Sequence, residues 1–254
     1  MDGHVDPASM RRSIEVIFED NHCLALVKPG GLLTQGVPDG IPTLESWARD
    51  YLREKYHKKG RVYLGIPHRL DRPVSGVVLF ARSSKAAARL AEQFRDRLVK
   101  KTYWGLIECR DGDPQPPPEG IWEDWLRKLQ NESRTEVLPG ETEGARHAVL
   151  RFQRRGLIPT GAWMEFYPVT GRMHQIRVQA ASRGWPILGD AFYGASRDFV
   201  AGIESARDRP IALHARELEF LHPIRYEPVR LVAPVSSPWP DWVNEAESRG
   251  DRSV

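Results

Sequence analysis

Cysteine is nearly absent: Cys23 and Cys109 are the only two in 254 residues. That is too few for a disulfide framework, and neither has the neighbours a metal finger needs. Both lie in apolar, strand-like runs, where a thiol serves as a small core residue. Long apolar runs are missing too. No stretch approaches the roughly 18 residues of a membrane span, and the opening MDGHVDPASMRRS lacks the apolar core of a secretion signal. A cytoplasmic protein with no membrane association is expected. No internal repeat is visible. With 41% hydrophobic and 28% charged residues, the composition also sets aside wholesale disorder.

What is present is charge, unevenly spread. The formal net charge is only +3. Yet residues 61–101 hold ten Lys/Arg against three Asp/Glu, and residues 145–186 hold seven against one. Between them, residues 102–144 hold four against ten. Two basic segments around an acidic one are the asymmetry expected of a polyanion-binding protein. Arginine supplies 29 of the 37 basic residues, and its planar fork suits phosphates and base edges better than lysine does.

Along the chain, residues 14–28 read as two strands turning at Glu19-Asp20-Asn21, and Thr43 caps a helix over 43–56 with Leu44, Trp47, Ala48, Tyr51 and Leu52 at helical spacing. GVVLFAR reads as a buried strand, SSKAAARLAEQFRDR as a helix capped by Ser83 or Ser84, and KKTYWGLIEC as a strand. DGDPQPPPEG, with four prolines in ten residues, reads as a surface loop. Strands are expected at 145–153 and 161–169, followed by a glycine turn into a helix with Ile176 and Ala180 inward and Gly184 as its cap. ALHARELEF and PVRLVAP are the last strand candidates. The expected fold class is α+β, a largely antiparallel mixed sheet with flanking helices and loops around a central cleft. The expected organisation is a flexible extension over 1–13, one catalytic domain over 14–236 and a polar tail over 237–254. A monomer is expected, since no heptad or exposed apolar stripe stands out.

Three clusters carry chemical interest. In HRLDRPVSG, residues 68–76, Asp71 stands between Arg69 and Arg72 at the mouth of a core strand. It reads either as an ion pair that holds the loop or as a reactive carboxylate fixed in place by Pro73 and Gly76. His68 and Arg69 add groups suited to a phosphate or a displaced base. In GRMHQIR, residues 171–177, Arg172, His174 and Arg177 sit on a turn entering a helix. Arg177 reads either as a surface pair or as an inward arginine in need of a carboxylate, for which Asp71 is the natural candidate. In KKTYWGL, Tyr103 reads either as core or as a stacking platform for a base.

HRLDRPVSG, KKTYWGLI and GRMHQIRVQAASRGWPILGDAFYG, in this order, closely resemble the signature blocks of RluA-type pseudouridine synthases. KPGGLLTQG resembles the family's block near the start of the catalytic domain and LHARELEFLHP its closing strand, so the resemblance spans about residues 14–236. It implies a pseudouridine synthase fold and an isomerase, free of cofactor and metal, that turns a uridine of ribosomal or transfer RNA into its C-glycoside isomer. By the resemblance, Asp71 is the catalytic aspartate and Tyr103 stacks on the target base and helps remove the proton from carbon 5. Arg177 pairs with the aspartate, and Arg69 intrudes where the flipped uridine was. His68, Leu70, Arg172, His174 and Gln175 are the further residues expected to bind RNA. Attack on the sugar and assistance of base departure both stay open for Asp71. Val74 and Met173 stand where many members have threonine, at positions not expected to do chemistry. With the catalytic domain beginning near residue 14, no S4-type RNA-binding domain is expected ahead of it. Two other classes remain: an RNA-binding or chaperone protein that keeps the fold without catalysis, and a glycoside hydrolase. The latter needs a second carboxylate across the scissile bond, for which Asp190 is the one obvious candidate, though its glycine-flanked turn reads as structural.

Overall fold

The computed structural model describes residues 14–36, 41–110, 112–130, 132–203, 205 and 208–248. Expectations for 1–13 and 249–254 lie outside the described residues. The chain divides into two compact units, and the fold is α+β.

The first unit runs up to Lys100 and adds residues 202–210 and 215–234. Its strands are β1 (Glu15–Glu19), β2 (Cys23–Lys28), β3 (Ser75–Ala81), β9 (Leu213–Leu221) from Ala215 onward, and β10 (Pro228–Val232), adjacent in that order. β1 and β2 form the expected hairpin. β2 and β3 are buried almost throughout, which is why CLALVK and GVVLFA show no polar alternation. Their antiparallel register sets Lys28 opposite Gly76, at the end of the pair where the HRLDRPVSG loop enters.

Two amphipathic helices belong to this unit. α1 (Leu44–Lys55) starts in a reciprocal capping box between Thr43 and Ser46 and buries Leu44, Ala48 and Leu52. α2 (Ser84–Arg95) is capped by Ser83, whose Oγ accepts the Ala86 N–H, and buries Ala86 and Leu90.

The second unit holds residues 101–201, 211–214 and 235–254. Its strand order is β4 (Lys100–Glu108) from Lys101 onward, β8 (Gly161–Pro168), β7 (Arg146–Ile158), β5 (Glu119–Lys128) and β6 (Thr135–Leu138). Every neighbouring pair in this order is antiparallel. β5 and β6 were not expected from the sequence. β5 buries Trp122 and Leu126 on its inner face, but the residue between them on that face is Asp124, whose carboxylate accepts from Gln179 and Arg183. A carboxylate amid the apolar positions hides the period-two pattern.

α3 (Gln175–Ala181) is shorter than the sequence suggested. It ends at Ser182, and Gly184 follows in the left-handed region at φ 83°. Ile176 and Ala180 are buried as expected. The polar tail expected from residue 237 includes a helix, α4 (Asp241–Ser248). Trp239 and Val243 are buried there, Trp239 against Phe199 and His214, and Trp242 meets Trp163 edge to face. Two tryptophans and a valine anchor a segment whose overall composition is polar. No helix among the described residues is long and apolar enough to cross a membrane.

Candidate active site

In the first unit, the loop carrying Asp71 is stapled from below. Lys28 is fully buried, and its ammonium donates to the carbonyls of Pro29 (2.9 Å), Leu32 (2.7 Å) and Arg72 (3.0 Å). Three carbonyls match the three N–H groups of an ammonium. Burial pushes the Lys28 pKa down to about 7; the charge of Asp71 opposes that shift, and Arg72 adds to it. Thr34 holds the other side: its Oγ1 donates to the Leu70 carbonyl at 2.9 Å and accepts the Leu70 N–H at 3.2 Å. The backbone closes a turn from Val74 N–H to the Asp71 carbonyl at 3.1 Å. KPGGLLTQG and HRLDRPVSG thus form one hydrogen-bonded assembly.

The residues around Asp71 take separate places. Asp71 itself is half-buried. Arg72 pairs with Asp208 and donates through Nε to the Gly31 carbonyl at 2.9 Å. Arg69 is exposed, while Leu70 is buried. His68 accepts the Leu79 N–H on Nε2 at 2.9 Å and stacks on Phe94 with centroids 4.6 Å apart. That nitrogen's lone pair is therefore used within the fold.

Gly76 explains the end of the motif. Its φ is 117°, and a Cβ there would lie 2.3 Å from the Ala215 carbonyl oxygen, so only glycine lets β3 approach β9.

In the second unit, Tyr103 is half-buried on β4, opposite Phe166 of β8. The turn before α3 is organised by Gln175, which is buried. Its Oε1 accepts from Thr170 Oγ1 at 2.8 Å and the Arg172 N–H at 3.0 Å, and its Nε2 donates to the Val149 carbonyl at 3.0 Å. Arg172 also donates through Nε to the His147 carbonyl. His174 sits in the left-handed region at φ 54°.

Tyr193, on a short 3-10 turn over Ala191–Tyr193, accepts the Thr135 N–H at 3.0 Å on its hydroxyl oxygen. The same hydroxyl is hydrogen-bonded to Nδ1 of His174, 2.9 Å away.

Arg177 is buried, and the sequence reading sought its carboxylate at Asp71. The carboxylate found in its own unit is Asp190: Nε donates to Oδ2 at 2.6 Å and Nη2 to Oδ1 at 2.8 Å, with Asp190 only 1% exposed. The guanidinium carbon also lies 5.1 Å from the ring centroid of Tyr193. Asp190 thus has a structural task, as its glycine-flanked turn suggested, and the partner is one of the signature residues. Lys28 and Tyr193 are site-supporting residues that the sequence reading did not single out, and Asp190 was not foreseen as the partner of Arg177. Their signal was only position: each lies inside a quoted block, KPGGLLTQG or the ILGDAFYG end of the third.

One group among the described residues resembles a metal-ligand set, Asp20, Cys23 and His222. Its donors are committed. Asp20 Oδ1 accepts the His22 and Cys23 N–H groups, and its Oδ2 accepts from His222 and Arg225. His222 Nδ1 accepts the N–H groups of Ile224 and Arg225, and burial and the charge of Asp20 push the Cys23 thiol up to about 12. The group is a knot tying the β1–β2 turn to the β9–β10 turn.

Comparison with known proteins agrees with both the strand arrangement and the signature blocks. Residues 22–182 match the family model of RNA pseudouridylate synthases. The chain is 35% identical over 218 residues to the dual-specificity RNA pseudouridine synthase RluA of Vibrio vulnificus, covering 82% of this chain and 78% of that one. It is 34% identical over 219 residues to the protein of the same name from Haemophilus influenzae, covering 84% and 90%. Among solved structures, human RNA pseudouridylate synthase domain containing 4 superposes with a TM-score of 0.71 at 23% identity, covering 97% of this chain and 96% of the other, a likeness of fold. The chain belongs to the RluA-type family of RNA pseudouridine synthases. It is an enzyme of the pseudouridine-forming isomerase class, EC 5.4.99.

Proposed function

We propose that this enzyme converts a particular uridine in a structured ribosomal or transfer RNA to pseudouridine, with Asp71, Tyr103 and Arg177 as its catalytic residues. The reaction is an isomerisation. The bond between the sugar and N1 of uracil breaks, the base turns, a bond forms from the sugar to carbon 5, and the carbon 5 proton is lost as N1 regains one. One carboxylate suffices, because no water is activated and no alcohol departs.

The observation that carries the reading is the fixing of the Asp71 loop. A half-buried carboxylate stands on a turn held by a fully buried ammonium and by Thr34, so its position is set before any RNA arrives. A binding protein would have no need to fix one carboxylate so firmly. Arg177 serves as the cation of the catalytic set, Tyr103 as the ring on which the flipped uracil stacks, and exposed Arg69 as the filler of the vacated place. Arg172, His174 and Gln175 shape the turn before α3, the part of the second unit that meets the RNA. The Vibrio and Haemophilus relatives are called dual-specificity synthases, which supports testing more than one RNA.

Asp71→Asn tests the assignment. Pseudouridine formation in total RNA from cells lacking the gene is expected to fall at least about 10³-fold, the scale of losing a nucleophile or acid–base group, while RNA affinity stays within a few fold. Turnover retained by Asp71→Asn removes Asp71 from the chemistry. If the wild-type chain binds this RNA and forms no pseudouridine, the non-catalytic RNA-binding reading takes over.

A further inference from the structure

Phe192 is a large apolar side chain left 47% exposed beside the most tightly organised part of the second unit. It is not a loose surface residue. Its ring stands edge to face against Tyr193 (centroids 5.2 Å, 80°) and against His174 (6.1 Å, 88°). Those two rings are themselves locked by the hydroxyl bond between them. Two guanidinium groups lie over the same ring, Arg134 at 5.4 Å and Arg177 at 5.9 Å.

The two arginines differ in what else they do. Arg177 is buried and paired with Asp190. Arg134 is exposed, lies within cation–π distance of Phe192 and Tyr193, and has no carboxylate partner among the described residues. An exposed flat ring held in place, with an exposed planar cation beside it, is costly in water and well matched to a nucleobase and its phosphate.

We infer that Phe192 and Arg134 form a docking platform for a nucleotide of the RNA next to the target uridine, the ring stacking on its base and the guanidinium meeting its phosphate. The inference rests on the RNA isomerase reading above and adds to it a residue pair that sets how the substrate strand is held. Stacking recognises any base by its face, so the platform contributes affinity and register and not base identity.

The test uses the full chain with total RNA, labelled with 5-tritiated uridine, from cells lacking the gene. Tritium release gives the rate and half-saturating concentration, and filter binding of the same RNA gives affinity. Phe192→Ala is expected to raise the half-saturating RNA concentration and the dissociation constant roughly tenfold, with a smaller fall in maximal rate; Phe192→Tyr is expected to restore both. Arg134→Gln is expected to weaken binding and lower the salt slope by about one phosphate contact, which a role confined to packing would not do. Should Phe192→Ala lose its fold, Phe192→Leu keeps apolar bulk without a flat face and carries the same expectation.

Binding and half-saturation unchanged in these variants overturn the inference and leave the isomerase reading intact. A fall in maximal rate alone also overturns it, because the ring would then act by propping Arg177. Wild-type protein that binds RNA and releases no tritium fails the isomerase reading instead, while the binding comparison still decides the platform.

Discussion

Arg177 and Asp190 place opposite charges where almost no water reaches, with 5% and 1% of their surfaces exposed. Taking each ion out of water costs several kcal/mol, which a bidentate pair with both bonds short offsets. Removing one member is therefore worse than removing both. Asp190→Asn is expected to lower stability by about 3 kcal/mol in urea unfolding, while Asp190→Leu combined with Arg177→Met recovers a good part of that loss. A full loss in the double variant would mean that the pair contributes through packing and not through charge. The need for a carboxylate at Arg177 was legible from the cost of a buried charge. The part played by Asp190 was not, since Asp71 and Asp190 both lay in recognisable blocks and only the folded path of residues 187–190 turns Asp190 inward onto Arg177. Lys28 shows the same limit. KPG marks a break after a strand, but nothing in three letters says that the lysine turns back to gather carbonyls from 29, 32 and 72.

Among elements, the β2–β3 pair sets the position of the Asp71 loop. Its register ends with Lys28 against Gly76, so the last residues of two core strands anchor both loops of the Asp71 assembly. Gly76 is the narrow point. A methyl group there meets the Ala215 backbone at 2.3 Å and asks an L-residue to hold φ at 117°. Gly76→Ala is expected to cost about 2 kcal/mol or more and to reduce turnover further than this loss of folded protein accounts for, because β3 must withdraw and carry the 71–74 turn with it. Urea unfolding paired with rates measured per folded molecule checks this; a rate per folded molecule equal to wild type would separate the strand contact from the site. The elements readable beforehand were those with a single dominant period or cap, such as β1–β2 and the Thr43 and Ser83 helices. β5 was hidden because Asp124 sits on its inner face, satisfied by Gln179 and Arg183 from α3 and the residues just after it. α4 was hidden because two tryptophans and a valine do the anchoring within a polar stretch.

For the whole molecule, the partition of charge is the property that bears on RNA. The fold neutralises part of the second basic segment with carboxylates from outside it, Asp190 for Arg177 and Asp124 for Arg183, and with Glu165 for Arg155 from within. Arg146 and Arg151 of that segment have no carboxylate partner among the described residues, and the same holds for Arg61, Arg69, Lys85 and Arg97 of the first. These unneutralised side chains, and not the net charge of +3, set the electrostatic pull on a polyanion. Each that meets a phosphate releases counterions, so affinity for RNA is expected to fall at least roughly a hundredfold between 50 and 200 mM salt if about six such contacts form. Replacing Arg61 or Arg151 by Gln should reduce the slope of log affinity against log salt by about one wherever that residue touches the backbone, with little change in maximal rate. Filter binding across a salt series measures both quantities. A flat salt response in the wild-type protein would mean that base stacking and shape, and not the two basic segments, hold the RNA.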